Sequence, residues 1–137
     1  MRNSDLCKKA IDALKYSYCP YSNYSVGAAL LCKSGRVYTG CNIENSAFSP
    51  TVCAERTAFF KAISEGEKDF IKIAIAGKKQ GDKLLDDSIS PCGVCRQVMR
   101  EFCSPDFEIL IVKSKGDCSV YKLSELLPVS FGSDNIK

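Results

Sequence analysis

Apolar residues recur at helical spacing near the amino terminus and in short strand-like runs along the rest of the chain. Ser4 can cap a first helix, and the apolar face of this helix comprises Leu6, Ala10, Ala13 and Leu14. We expect the helix to end before the turn-rich stretch 19–22.

Two strands follow, over residues 25–32 and 36–41, and their three-residue link at 33–35 predicts an antiparallel hairpin. The small residues Gly27-Ala28-Ala29 in the first strand leave room for a helix to pack closely. Residues 42–51, rich in Asn, Ser and Pro, are typical of an irregular loop.

Strands and helices then alternate. We expect a helix over 53–64 closed by Gly66, a buried strand over 71–76 and a polar loop over 77–89. Ser90 as N-cap and Pro91 as first helical residue predict a third helix to about residue 102, followed by a strand over 108–112. Such successive strand–helix–strand units predict parallel neighbours joined by right-handed crossovers.

The last strand, over 119–123, follows too short a link for a helical crossover and should run antiparallel. A small helix over 124–127 ends at Pro128. The predicted fold is α/β: a three-layer α/β/α arrangement with a mixed five-stranded sheet, in one domain over residues 1–137.

Composition supports this fold and narrows the function. Hydrophobic residues make up 45% of the 137-residue chain, which indicates a packed core. The net charge is +3, with Lys and Arg dispersed along the sequence. No basic stripe interleaved with aromatics is visible, which argues against a nucleic-acid partner.

The chain has nine cysteines, which would suggest disulfide bonds in a secreted protein. The amino terminus, however, lacks the apolar run of a signal peptide. No apolar stretch is long enough to span a membrane. We therefore expect a cytoplasmic protein with reduced thiols and no membrane partner. Six cysteines are interpreted as small buried apolar residues: Cys7, Cys19, Cys32, Cys41, Cys103 and Cys118.

The other three cysteines predict a zinc site. Cys53 begins one predicted helix, and Cys92 and Cys95 lie in the first turn of another that starts at the same edge of the sheet. A structural zinc ion normally has four protein ligands, whereas a catalytic one keeps a position for water. Three thiolates therefore favour an enzyme.

Two charged neighbours complete the predicted chemistry. Glu55 can accept a proton from water and pass it to a substrate nitrogen. Arg56, one turn from Cys53, can donate to a ligand sulfur and offset the negative charge of three thiolates. Arg96 could do the same, or could simply lie on the surface.

Four segments carry a resemblance to a known family: 20–29 (PYSNYSVGAA), 40–45 (GCNIEN), 53–58 (CAERTA) and 91–97 (PCGVCRQ). The last two match the zinc-deaminase signature, a Cys ligand and a Glu followed by Pro-Cys-x-x-Cys. Together they resemble the small homotetrameric cytidine deaminases, from the first helix to Phe131.

The resemblance implies further site residues. Asn42 and Glu44 match positions that hold the ribose 3′-hydroxyl, the Ala54 N–H would meet the ring carbonyl, and the Ser90 carbonyl would accept from the amine. Tyr24 and Phe131 match aromatic positions at the base. In the family the aromatic at the Phe131 position comes from a neighbouring subunit, so active sites are shared.

The implied activity is zinc-dependent hydrolytic deamination of cytidine and 2′-deoxycytidine to the uridine product and ammonia, in pyrimidine salvage. The resemblance implies one zinc ion per subunit and a homotetramer. No organic cofactor is needed.

Three alternatives remain open on the sequence. A deaminase of the same fold could act on another aminopyrimidine such as blasticidin S. An RNA- or DNA-editing deaminase usually has His as first ligand, and this chain has no His. A purely structural zinc module would need a fourth protein ligand, for which Cys41 or Cys103 is the candidate.

Overall fold

A computed structural model describes the protein from residue 1 to residue 137. Its regular elements, in chain order, are α1 (Asn3–Ala13), β1 (Tyr24–Cys32), β2 (Val37–Cys41), α2 (Ala54–Ser64), β3 (Phe70–Lys79), α3 (Gly93–Phe102), β4 (Glu108–Ser114), β5 (Asp117–Lys122) and α4 (Leu123–Leu126). Single turns of 3₁₀ helix occupy Leu14–Tyr16 and Ser133–Asn135.

The five strands form one mixed sheet in the order β2-β1-β3-β4-β5. β3 and β4 pair in parallel, whereas the β1–β2, β1–β3 and β4–β5 pairs are antiparallel. This confirms the predicted mixed sheet, its hairpin and its antiparallel last strand.

One predicted neighbour relation is wrong. The strands that flank α2 are β2 and β3, and the strand–helix–strand pattern predicted that they would pair. β1 lies between them, because it forms the hairpin with β2 on one edge and pairs with β3 on the other. Only β3 and β4 are parallel neighbours.

Helices cover both faces of the sheet, as the three-layer prediction requires. On one face Leu6, Cys7 and Ala10 of α1 pack against apolar residues of β1, β3 and β4. On the other face Phe59 of α2 and Met99 of α3 lie in a larger apolar cluster. Both clusters bury strand residues, so the sheet is apolar on its two sides.

Glycines set the distance between the sheet and the helices. A Cβ at Gly27 would overlap the backbone carbonyl of Ala10 in α1, which confirms that the small residues of β1 permit close packing. A Cβ at Gly40 of β2 would lie 2.5 Å from the Ala54 carbonyl oxygen, at the start of α2. Gly40 therefore helps to position the end of α2 that carries Cys53.

The predicted caps of α1 and α3 differ from the structure. The N-cap of α1 is Arg2 and no side chain caps it, so Ser4 lies inside the helix. Helix α3 begins at Gly93, two residues later than predicted from Ser90 and Pro91. Its N-cap is Cys92, whose Sγ accepts from the Cys95 backbone N–H at 3.4 Å. A thiol thus takes the capping role that was assigned to a hydroxyl.

All nine cysteines are free thiols. Cys7, Cys19 and Cys32 are buried as predicted, whereas Cys41, Cys103 and Cys118 are only partly buried. None of the helices combines the length and the apolar character that crossing a bilayer requires.

Gly40→Ala should lower the free energy of unfolding by about 1–3 kcal/mol, because overpacking against a helix backbone forces that helix to move. The measurement is the urea unfolding curve of the purified protein. Gly116→Ala is the matched control, since a Cβ there meets no atom within 4 Å. Equal unfolding midpoints for the two variants would contradict close packing at Gly40.

Candidate active site

Three thiols from two helix starts meet at one point. Cys53 is the N-cap residue of α2, Cys92 is the N-cap residue of α3, and Cys95 lies in the first turn of α3. The Cys53 and Cys92 sulfurs are 3.6 Å apart, and those of Cys92 and Cys95 are 3.5 Å apart. All three sulfurs lie within 4.8 Å of one another.

These separations fit a zinc ion. A tetrahedral ion with Zn–S bonds of about 2.3 Å places its sulfurs about 3.8 Å apart. The cluster contains no fourth Cys, Asp or Glu, and Cys41 and Cys103 lie outside it. The donor set is therefore that of an open site, and the fourth ligand that a structural module needs is not present.

Positive charge and hydrogen bonding favour a thiolate in the cluster. Arg56 Nη2 donates to Cys53 Sγ at 3.3 Å, the contact expected from the sequence. Hydrogen bonding from Cys95, together with that of Arg56, lowers the pKa of Cys53 to about 5 although burial opposes the shift. The proton is retained at Cys95, whose pKa is raised by its hydrogen bond to Cys53 and by burial.

Arg96 takes neither of the roles considered for it. Its Nε donates to the Pro91 carbonyl at 2.7 Å, and its Nη1 donates to the Leu126 carbonyl at 2.5 Å. Its Nη2 lies 3.1 Å from Ser90 Oγ. Arg96 therefore ties the loop before α3 to α4.

Glu55 is one of two buried polar residues in the protein, with 4% of its surface exposed. Burial raises the pKa of Glu55 to about 7, and negative charge at Cys53 adds to the rise. A divalent cation held by the thiolates would oppose that increase. A buried carboxyl with such a pKa is suited to both accept and release a proton.

A cleft of about 230 Å³ opens beside Glu55 and the cluster. It brings together Glu55, Cys53 and Cys92 with four of the other residues singled out in the sequence: Asn42, Glu44, Ala54 and Ser90. Five apolar or small residues that sequence reasoning did not identify complete its walls: Val26, Thr51, Val52, Ile75 and Ile89. Val26 lies within the 20–29 segment, and Thr51, Val52 and Ile89 lie within two residues of the 53–58 and 91–97 segments, whereas no signal marks Ile75.

Asn42 holds the start of β1, and Glu44 holds the turn before it. The Asn42 amide donates to the Tyr24 carbonyl at 2.8 Å and accepts from the Val26 N–H at 3.0 Å. The Glu44 carboxylate accepts from the N–H groups of Tyr21 and Ser22 and from the Ser22 hydroxyl. These bonds lower the pKa of Glu44, with the Ser22 hydroxyl as the largest cause.

Tyr24 and Phe131 are not among the residues that line this cleft. The Tyr24 hydroxyl donates to Asp86 Oδ2 at 2.7 Å. The Phe131 ring is 60% exposed, while its carbonyl accepts from Gln97 Nε2 at 2.9 Å.

Folding also gathers positive charge that is dispersed in the sequence. A separate cleft of about 450 Å³, beside α1, is lined by Lys15, Lys78, Lys83, Lys113 and Lys115. Its walls include Leu14 and Leu85 of the α1-side cluster, so it lies across the sheet from the thiols. This basic cleft does not lead to the predicted metal site.

The sequence over residues 1–111 matches the family model described as the cytidine and deoxycytidylate deaminase zinc-binding region. The chain belongs to this family. It is 45% identical over 124 residues to a cytidine deaminase of Sporosarcina psychrophila, an alignment that covers 90% of this chain and 87% of that protein. A crystal structure of cytidine deaminase from Burkholderia pseudomallei superposes with a TM-score of 0.84 at 41% identity, covering 96% of this chain and 100% of that one.

The chain is also similar to an enzyme named for another substrate. A blasticidin-S deaminase of Bacillus cereus is 34% identical over 113 residues, which is 80% of this chain and 79% of that protein. The protein is thus an enzyme, a hydrolytic deaminase of the cytidine deaminase type, in an α/β fold that its solved relatives share.

Cys53→Ser, Cys92→Ser and Cys95→Ser should each lower zinc affinity by more than the roughly 10- to 100-fold that an outer-sphere partner contributes. Zinc content after dialysis against a competing chelator measures this. Cys41→Ser and Cys103→Ser are the controls and should retain the ion. Loss of zinc from either control would instead support a structural site with four cysteine ligands. The absorption spectrum of a cobalt-substituted sample would then confirm the fourth sulfur.

Proposed function

We propose that the protein catalyses zinc-dependent hydrolytic deamination of cytidine and 2′-deoxycytidine in pyrimidine salvage, with one zinc ion per subunit. The observation that carries this proposal is a buried carboxyl, Glu55, beside three thiols that lack a fourth protein ligand. When bound, zinc supplies a Lewis acid that brings the pKa of water near neutrality.

Glu55 performs the proton transfers. As a carboxylate it accepts the proton of the attacking water and passes it to N3 of the pyrimidine, and it then accepts the proton of the new C4 hydroxyl and donates it to the departing amine. Its burial supports both roles, because a carboxyl with a pKa of about 7 is populated both with and without its proton near neutral pH. Ammonia leaves as the exocyclic C–N bond breaks and the C4 carbonyl forms.

Backbone groups orient the base in this scheme. The Ala54 N–H, at the first position of α2, would donate to the ring carbonyl, and the Ser90 carbonyl would accept from the exocyclic amine. Both residues line the cleft next to Glu55. The cleft is smaller than the roughly 300–1,000 Å³ of pockets for drug-sized ligands, which favours one nucleoside over a nucleic-acid strand.

Asn42 and Glu44 would bind the 3′-hydroxyl of the sugar. Both line the cleft and both are already held by hydrogen bonds to the β1 region, so little side-chain entropy would be lost on binding. This arrangement supports a nucleoside with a plain ribose rather than blasticidin S. Turnover of the two compounds, compared directly, distinguishes these substrates.

A homotetramer with shared active sites is part of the proposal. The carboxyl-terminal segment is held against α3, where Arg100 donates to Ser130 and Asp134 at 2.8 Å each. The Phe131 and Val129 side chains nevertheless project into solvent, with Phe131 60% exposed. A fixed backbone with an exposed aromatic suits insertion into a neighbouring subunit. A cytoplasmic location is proposed with it.

Glu55→Gln should retain zinc and lose about 10²- to 10⁴-fold in kcat, because the amide neither accepts nor donates the transferred proton. A spectrophotometric cytidine assay together with metal analysis measures both quantities. Glu65→Gln is the matched control, since Glu65 is exposed at the other end of α2. Near-normal turnover in Glu55→Gln would disprove the acid–base assignment.

A substitution of Asn42 would disturb the fold, because its side chain also bonds to the β1 backbone. The sugar contact is therefore tested by changing the substrate. The kcat/KM for 3′-deoxycytidine should be at least about 10-fold below that for cytidine, since the loss leaves polar groups unpaired. Glu44→Gln should reduce this discrimination. Equal kcat/KM values for both nucleosides in the wild-type enzyme would contradict the assignment.

A further inference from the structure

The segment that precedes α3 reaches the cleft through two consecutive residues, Ile89 and Ser90. No helix or strand includes them, since β3 ends at Lys79 and α3 begins at Gly93. Their position therefore depends on the contacts that hold residues 86–91 at each end.

The carboxyl-terminal end of the segment is fixed by Arg96. Its guanidinium donates to the Pro91 carbonyl at 2.7 Å and lies 3.1 Å from Ser90 Oγ. Arg96 is on α3, so this anchor moves with the helix that carries Cys95.

The amino-terminal anchor is Asp86. Its N–H donates to the Gly77 carbonyl at 2.7 Å, and its Oδ2 accepts from the Tyr24 hydroxyl at 2.7 Å. Its other oxygen, Oδ1, accepts from the Ser88 N–H at 2.9 Å. One carboxylate therefore joins the first residue of β1 to the residue just before Ile89.

The absence of a side chain at Gly77 brings these groups together. A Cβ on Gly77 would lie 3.0 Å from Ile89 Cδ1 and 3.1 Å from Tyr24 Cε1. The Tyr24 ring and the Ile89 side chain both cover this glycine, so the tyrosine supports the segment by packing as well as by its hydroxyl.

We propose that Tyr24 is a positioning residue for the deamination: through Asp86 it holds the segment that places Ile89 and Ser90 in the substrate cleft. The inference rests on the proposed function and assigns the Tyr24 hydroxyl to the protein rather than to the sugar. A hydrogen bond between a neutral donor and a carboxylate is among the stronger ones in proteins, so it is suited to fixing a loop.

The first test measures the loop without substrate. In Tyr24→Phe the ring stays and only the hydroxyl is lost, and amide exchange at Asp86 and Ser88 should become about 10-fold faster, as expected for loss of one charge-assisted bond. Tyr38→Phe is the matched control, because the Tyr38 hydroxyl lies 3.5 Å from the Glu67 carboxylate, away from the cleft. Unchanged exchange at both amides in Tyr24→Phe overturns the proposal.

The second test separates positioning from stability. Tyr24→Phe should raise KM for cytidine several-fold, because a smaller fraction of molecules has the segment in place. Its kcat should change by less than about a factor of two, since Glu55 and the thiols are untouched. A lower unfolding midpoint with unchanged KM would show a merely structural role and would also overturn it.

A double-mutant cycle identifies the partner. Asp86→Ala should raise KM at least as much as Tyr24→Phe, and the two changes combined should have no more effect than Asp86→Ala alone. Additive effects would mean that the hydroxyl acts elsewhere, on the sugar for example. If the wild-type protein failed to deaminate cytidine, the proposed function would fail while the exchange measurement still decided whether Tyr24 holds the segment.

Discussion

The gathering of three thiols into one small volume is the constraint on which the site depends. Three thiolates around a divalent ion carry a net charge of −1, and like charges this close repel one another unless a cation separates them. Arg56 supplies positive charge directly at Cys53 Sγ, and the N-termini of α2 and α3 add partial positive charge. The negative charge of the cluster is thus stabilised by groups that belong to the same two helices.

Positions of helix starts therefore matter more than helix lengths in this protein. The N-cap residue of α2 is Cys53 and that of α3 is Cys92, so any shift of either helix would move one of the three thiols. Gly40 fixes one of these helices by allowing β2 to approach the Ala54 carbonyl. Close packing between β2 and α2 therefore also determines where the Cys53 thiol lies.

The walls of the cleft depend on irregular chain, and this part of the site is held by polar contacts rather than by burial. Asn42 and Glu44 bond to the turn and strand around β1, while Arg96 and Asp86 hold the two ends of the segment that contains Ser90. Loops fixed in this way can be rigid enough to orient a substrate without adding to the core. In the proposed tetramer, the exposed Phe131 would complete the cleft of a neighbouring subunit.

Local chemistry in the sequence predicted the elements, the mixed sheet, the three thiols that meet at one point and Glu55 beside them, because periodicity and ligand spacing are properties of neighbouring residues. Residues far apart along the chain were decided only by tertiary structure. No local pattern showed that β1 separates β2 from β3, since strand pairing is chosen by the whole sheet. Nor could it show that Tyr24 meets Asp86, or that lysines from four segments line one cleft, because such contacts join residues through space rather than along the chain.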